Sequence, residues 1–315
     1  MCFMLFGCSS MDSNDAIDKY KKLLNNNDNY NMLGELSIVS IEELYYYNVS
    51  IDYKKGDYYK VSLVNKDNDY EQVILKNDTG VYVITPSLNK SFKFQSEWPY
   101  NSSQSYILAS LLKDFENDSN VVFEEADGGY SLSSTVNYPN NSNLISQKVL
   151  FDKDMIPKVV EVYDKEGIVN ICFKISNIDF DKSYDKEYFD ISNNSESVPS
   201  NVSVSEDIVY PMYLPVGSVF KDEEVVNQDD LRVILTFGGE KSFTLIEEVS
   251  SIPSEFEVTN VSGEFVFYEN LIGHITDNSL SWTMNGMDYY LISDNLSREE
   301  LLKVASSTSV VSLSK

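Results

Sequence analysis

What most constrains this chain is a series of short alternating segments joined by turns too brief to cross a sheet. Between residues 33 and 94, apolar and polar residues alternate with a period of two over 36–40, 45–53, 58–64, 70–76, 81–85 and 91–94. Lys54-Lys55-Gly56-Asp57, Asn65-Lys66-Asp67-Asn68-Asp69 and Asn77-Asp78-Thr79-Gly80 punctuate them with turn-forming residues. A parallel crossover needs a dozen residues or more, so neighbours here must pair antiparallel. The pattern resumes over 121–125, 130–136, 144–151, 158–163 and 168–176. Two segments break it. Residues 15–24 put Ala16, Ile17, Tyr20 and Leu24 on one side of a helix. Residues 103–115 carry a helical stripe of Tyr106, Ile107, Leu108, Leu111, Leu112 and Phe115. Eleven or so meandering strands with two helices predict a strongly curved sheet wrapped over helices.

Residues 191–207 are rich in Ser and Asn with little to bury, and read as a linker. Beyond it, strands are expected near 219 and over 232–237, 242–249, 264–268, 280–283 and 287–292. Asn285-Gly286 between the last two is a type I′ hairpin signal. Ser297 and Glu300 form a capping box opening a final helix. The fold class is therefore α+β: a curved antiparallel domain over 9–190 and a small α+β domain over 208–315.

Fifty acidic residues against 24 basic ones give a formal charge of −26, which repels phosphate backbones and excludes nucleic acid as a partner. The single histidine, His274, lies in the apolar run Leu271-Ile272-Gly273-His274-Ile275 and reads as a half-buried structural residue. Cys172 alternates with apolar neighbours and reads as a small buried side chain. Asp179, Asp181, Ser183, Asp185, Glu187 and Asp190 space oxygens like an EF-hand loop. Tyr184 stands where that loop needs glycine, Asp190 where it needs a bidentate Glu, and an acidic solvated strand end is the better reading. With so many acids, chance carboxylate pairs say nothing for a hydrolase. No catalytic residue, metal site or cofactor is assigned.

The first residues, Leu5-Phe6-Gly7-Cys8 followed by Ser9-Ser10, resemble a bacterial lipobox. The resemblance implies cleavage before Cys8 and a lipid anchor on its thiol, with 1–8 the remnant of a signal peptide whose start lies upstream of Met1. No other stretch approaches 18 apolar residues. The expected location is the outer face of a cytoplasmic or spore membrane. Cys172 would then be the one cysteine left beyond the anchor, so no internal disulfide is expected.

Gly56-Asp57-Tyr58-Tyr59-Lys60-Val61, Gly80-Val81-Tyr82-Val83, Phe151-Asp152-Lys153-Asp154-Met155-Ile156-Pro157 and Asp164-Lys165-Glu166-Gly167 follow the order of the LolA/LolB lipoprotein-carrier family. The first domain resembles that family, a half-open barrel plugged by helices. Tyr210-Pro211, Leu214-Pro215, Ser281-Trp282-Thr283-Met284-Asn285-Gly286 and Tyr289-Tyr290-Leu291 resemble the C-terminal domain of LolA-like sporulation and germination lipoproteins, GerS-like or RseB-like in layout. The resemblance implies a non-enzymatic anchored protein that binds a protein partner, a cell-wall hydrolase or envelope regulator, in sporulation, germination or envelope regulation. Its alternative is a lipid or other hydrophobic ligand in the half-barrel, with Tyr45, Tyr47, Tyr59, Leu108, Leu111 and Leu112 lining the cavity. One departure is that both arginines, Arg232 and Arg298, lie in the second domain, so the arginine that latches the carriers' lid has no counterpart in the first.

Overall fold

The computed structural model describes residues 11–40, 43–126, 128–195, 208–227 and 232–308. Cys8, its flanking lipobox and most of the expected linker (196–207) lie outside the described residues.

Two antiparallel meanders build the first lobe. One comprises β1 (Asn29–Ser40), β2 (Glu43–Lys54), β3 (Tyr58–Asn65), β4 (Glu71–Asn77), β5 (Gly80–Thr85) and β6 (Lys90–Phe94). The other comprises β7 (Val122–Ala126), β8 (Gly129–Thr135), β9 (Leu144–Asp152), β10 (Pro157–Asp164) and β11 (Val169–Asp179). They join through β1 and β11, from Asn31 opposite Asp179 to Ile38 opposite Ile171. The far strands β6 and β7 do not pair, so the sheet stays open. The turns are enforced locally. Asp152 Oδ1 accepts the amides of Asp154 and Ile156 at 3.0 Å each, and Asp164 Oδ1 accepts those of Glu166 (3.0 Å) and Ile168 (2.8 Å). The same carboxylate turn thus closes both ends of β10, and the Ile168 amide holds the Asp164 carboxyl below its ordinary value.

The helices fill the concave face. Asp12 caps α1 (Ser13–Asn25) in a reciprocal box with Asp15. Tyr20 of α1 is fully buried, meets Phe151 edge-on at 5.2 Å, and donates its hydroxyl to the Leu108 carbonyl at 3.0 Å. That carbonyl opens α2 (Leu108–Asn117), which carries the chain from β6 across the mouth to β7. The helix expected over 103–115 thus begins only at 108. Residues 103–107 are buried but held by side chains: Ser103 Oγ donates to Asp114 at 2.9 Å and the Gln104 amide to Ser110 Oγ at 2.8 Å. Polar side chains compete there with the helical ladder and prevail.

On the opposite face, residues 180–194 cover β3 to β5. Phe189 is fully buried with Tyr58, Val73, Leu75, Tyr82 and Ile84. Tyr184 and Tyr188 donate to the two oxygens of Asp52 at 2.5 and 2.6 Å. The acidic series considered as a cation loop is therefore a strap over the sheet, and its final turn, Ile191–Asn194, packs on the first lobe within the expected linker.

The second lobe is a seven-stranded sheet in the order β12-β13-β14-β19-β18-β17-β16. Its members are β12 (Ser218–Asn227), β13 (Arg232–Gly239), β14 (Phe243–Val249), β16 (Glu264–Tyr268), β17 (Leu271–Ile275), β18 (Ser279–Met284) and β19 (Met287–Ile292). Asn285 and Gly286 have φ of 51° and 78°, as a type I′ turn requires. The capping box of Ser297 and Glu300 opens α3 (Arg298–Ser306), whose Leu301, Leu302, Val304 and Ala305 pack on Leu235, Leu245, Leu280 and Trp282. Two strands go beyond those expected: β17 forms in the apolar run around His274, and one more carries no sequence signal. β15 (Glu257–Asn260) leaves the second lobe and pairs parallel with β6, making the first sheet twelve-stranded. All four of its residues are exposed and none alternates in polarity, so only a free edge elsewhere makes it a strand.

Candidate interlobe site

The second lobe closes the half-barrel. Phe265 of β16 and Ile272 of β17 are 5% exposed and belong to the first lobe's core. Phe265 meets Phe94 edge-on at 5.7 Å and Trp98 at 6.2 Å. Phe267, two residues on and on the same face, packs against Tyr106 at 6.1 Å and borders three clefts along the seam. One of about 60 Å³ runs between Leu36, Tyr106, Tyr138 and Glu269. A second, of about 260 Å³, lies between Trp98, Asn101 and Arg298. The third, of about 240 Å³, lies between β2–β4 and the β16–β19 hairpins.

Polar contacts pin the seam. Lys90 donates to Asp288 at 3.1 Å and to Ser250 at 2.8 Å, and Asp288 also accepts Thr283 at 2.6 Å. Arg298 reaches across to Asn140 at 2.8 Å while pairing with Glu264 at 2.6 Å. An arginine missing from the first lobe is thus supplied to it by the second. Ser40 donates to Glu269 at 2.6 Å and Asn68 to Asn285 at 2.7 Å. The Glu269 carboxyl lies above its ordinary value because it is buried.

Of the candidate cavity residues, Tyr59, Leu108 and Leu111 are at most 1% exposed and lie in the packed core; Leu112 is half-buried at its margin. Tyr59 donates to or accepts from Tyr100 at 3.2 Å and packs on Trp98. Tyr45 and Tyr47 are half-buried on one face of β2, Tyr47 against the margin of the core, and line the third cleft. Sequence reasoning missed Phe265, Phe267, Asn270 and Ile272. Alternation marks 264–268 as a strand but carries no signal that its inward face belongs to another lobe.

His274 is half-buried, its ring 6.1 and 6.2 Å from those of Phe92 and Phe94, and burial holds its pKa below the ordinary value. Cys172 is half-buried on β11, and burial pushes its thiol up, away from the reactive thiolate. Burial raises two further acids. Asp114 of α2 is pushed up to about 6, and Glu247 of β14 to about 7. Asp114 is satisfied by Ser103 and Gln147, whereas Glu247 Oε2 accepts the Val209 amide and its Oε1 has no partner. Among the described residues, no three His, Cys, Asp or Glu side chains gather as a metal site, and no helix is long and apolar enough to cross a membrane.

No family model matches the chain. It is 38% identical over 312 residues to the sporulation protein YdcC of Bacillus subtilis, spanning 96% of this chain and 92% of that protein. Among solved structures it is similar to a chain in the MucA/MucB complex of Pseudomonas aeruginosa (13% identity, 93% of this chain, 98% of that chain, TM-score 0.34). It is also similar to a chain in the complex of the CwlD amidase with the GerS lipoprotein from Clostridioides difficile (17% identity, 58% of this chain, 100% of that chain, TM-score 0.33).

Proposed function

Because the chain belongs to the family of the Bacillus subtilis sporulation protein YdcC, we propose that it is a non-enzymatic sporulation lipoprotein that acts by binding a protein partner. The anchor is Cys8, the location is the outer face of the cytoplasmic or spore membrane, and the partner is a cell-wall hydrolase or an envelope regulator. The observation that carries this reading is the edge of the second lobe. Strand β12 ends its sheet, and Val219, Phe220, Val225 and Val226 on it are 42–55% exposed. Met212, Leu214 and Val216 just before it are exposed as well, Val216 at 98%. Soluble proteins protect long apolar edges, and one left bare is a surface for another chain. Lys221, Asp222, Glu223 and Glu224 in its middle are net acidic, which suits a basic partner segment.

Affinity capture from sporulating cells tests the reading. The wild-type chain is expected to return a stable envelope protein that the Val219→Lys/Val225→Lys variant loses while its melting temperature holds. Failure to return such a partner, with a deletion strain that sporulates and germinates normally, would reject it. Labelling with a palmitate analogue is expected to mark the wild-type chain and not Cys8→Ala; equal labelling of both would remove the anchor.

A further inference from the structure

We propose that the third interlobe cleft, of about 240 Å³, is a carbohydrate site that takes a neutral glycan segment. Its floor carries Asn270, in the turn between β16 and β17. Asn270 is 4% exposed, and neither its amide nitrogen nor its amide oxygen has a hydrogen-bond partner. Among the described residues it is the one buried side-chain amide left unpaired at both its nitrogen and its oxygen. A buried amide in that state destabilises the free protein, so its presence points to a polar partner that arrives from outside.

The lining decides the chemistry of that partner. Tyr45 and Tyr47, on one face of β2, line it together with Asn65, Asn68 and Asn285, which bring further amides beside Asn270. The charged residues of the lining are Glu43 and Asp67, with no Lys, Arg or His. Phosphate and carboxylate ligands offer only acceptors and would meet like charge. An acyl chain offers neither donor nor acceptor. Adjacent hydroxyls of a pyranose offer one of each to a single amide, and the C–H face of the ring lies flat on a phenol. A peptide backbone also carries both groups, but a strand needs a free sheet edge. Every lining strand of the cleft, β2, β3, β4, β16, β17 and β18, belongs to a sheet, and the cleft is walled by strands already paired on both sides apart from β16. On β16 the residue that lines the cleft is Phe267, which is apolar. The exposed edge β12 lies at the other end of the second sheet, so glycan and protein partner would not compete.

Isothermal titration of the full chain with the hexamer of N-acetylglucosamine and with maltohexaose tests this. One of the two is expected to bind saturably at one equivalent. Asn270→Ala and Tyr45→Ala should each weaken it about tenfold, and Tyr46→Ala, on the opposite face of β2, should leave it unchanged. Melting temperatures of the three variants serve as the fold control, and Tyr45 is half-exposed, so its truncation spares the core. Absence of saturation by either sugar at about 10 mM would overturn the assignment. So would wild-type affinity in both Asn270→Ala and Tyr45→Ala, or tighter binding of an uncharged Ser/Thr hexapeptide that the same variants abolish.

Discussion

Glu247 offers the sharpest physical test of this structure. It sits on the face of β14 that also carries Phe243 and Leu245, and it is 1% exposed. One oxygen accepts the Val209 amide at 3.1 Å and the other has no partner, so the site tolerates a neutral carboxyl far better than a carboxylate. The ordinary value is 4.5 and the folded chain holds the group at about 7. Between these values the folded state binds more proton than the unfolded chain. Stability is then fully present below the unfolded value and is lost as pH rises through the folded one. At about 1.4 kcal/mol for each tenfold step, ionisation destabilises the folded chain by about 3 kcal/mol above the window. Glu247→Gln keeps the shape and the acceptor for Val209 but cannot ionise. Urea unfolding should place the variant within about 1 kcal/mol of wild type near pH 5 and about 3 kcal/mol above it near pH 8. Asp114 and His274 titrate in both chains and drop out of the difference. A gap that does not change with pH, or one that shrinks as pH rises, would refute the reasoning.

Asp288→Ala leaves the Lys90 ammonium in a site where both partners are at most 15% exposed, and should lower unfolding free energy by roughly 3–5 kcal/mol in urea melts. His274 behaves oppositely to Glu247: its depressed pKa means stability is present above the ordinary value of 6.5 and is lost as pH falls below it. In His274→Phe that acid-side loss should flatten, as read from melting temperature against pH. Leu111→Ala, in the helix that plugs the half-barrel, should lose roughly 2–5 kcal/mol by calorimetry or urea melts.

Local chemistry was legible wherever one residue type has one structural use. Asn285-Gly286 forms its hairpin because both positions take positive φ, and Ser297 with Glu300 starts α3 because orphan amides need acceptors. Asp152 and Asp164 close turns in the same way. Helix α2 was legible as a stripe but not at its start, because Ser103 and Gln104 find side-chain partners that no periodicity records. The candidate residues divide likewise. Tyr45 and Tyr47 share a face with Val49 and Ile51, and only the tertiary packing leaves the two tyrosines half-buried while it takes the other two into the core.

The sequence by itself determined most of the strands, their mostly antiparallel sense and the acidic charge, because each follows from spacing, turn residues or charge over a few neighbours. Tertiary structure alone decided that Phe265 and Ile272 complete the core of the other lobe, that Glu257–Asn260 caps the edge left by β6, and that Asn270 lies unpaired in a cleft. Those facts depend on which surfaces meet across more than a hundred residues of chain, and burial is a property of the pair, not of either segment.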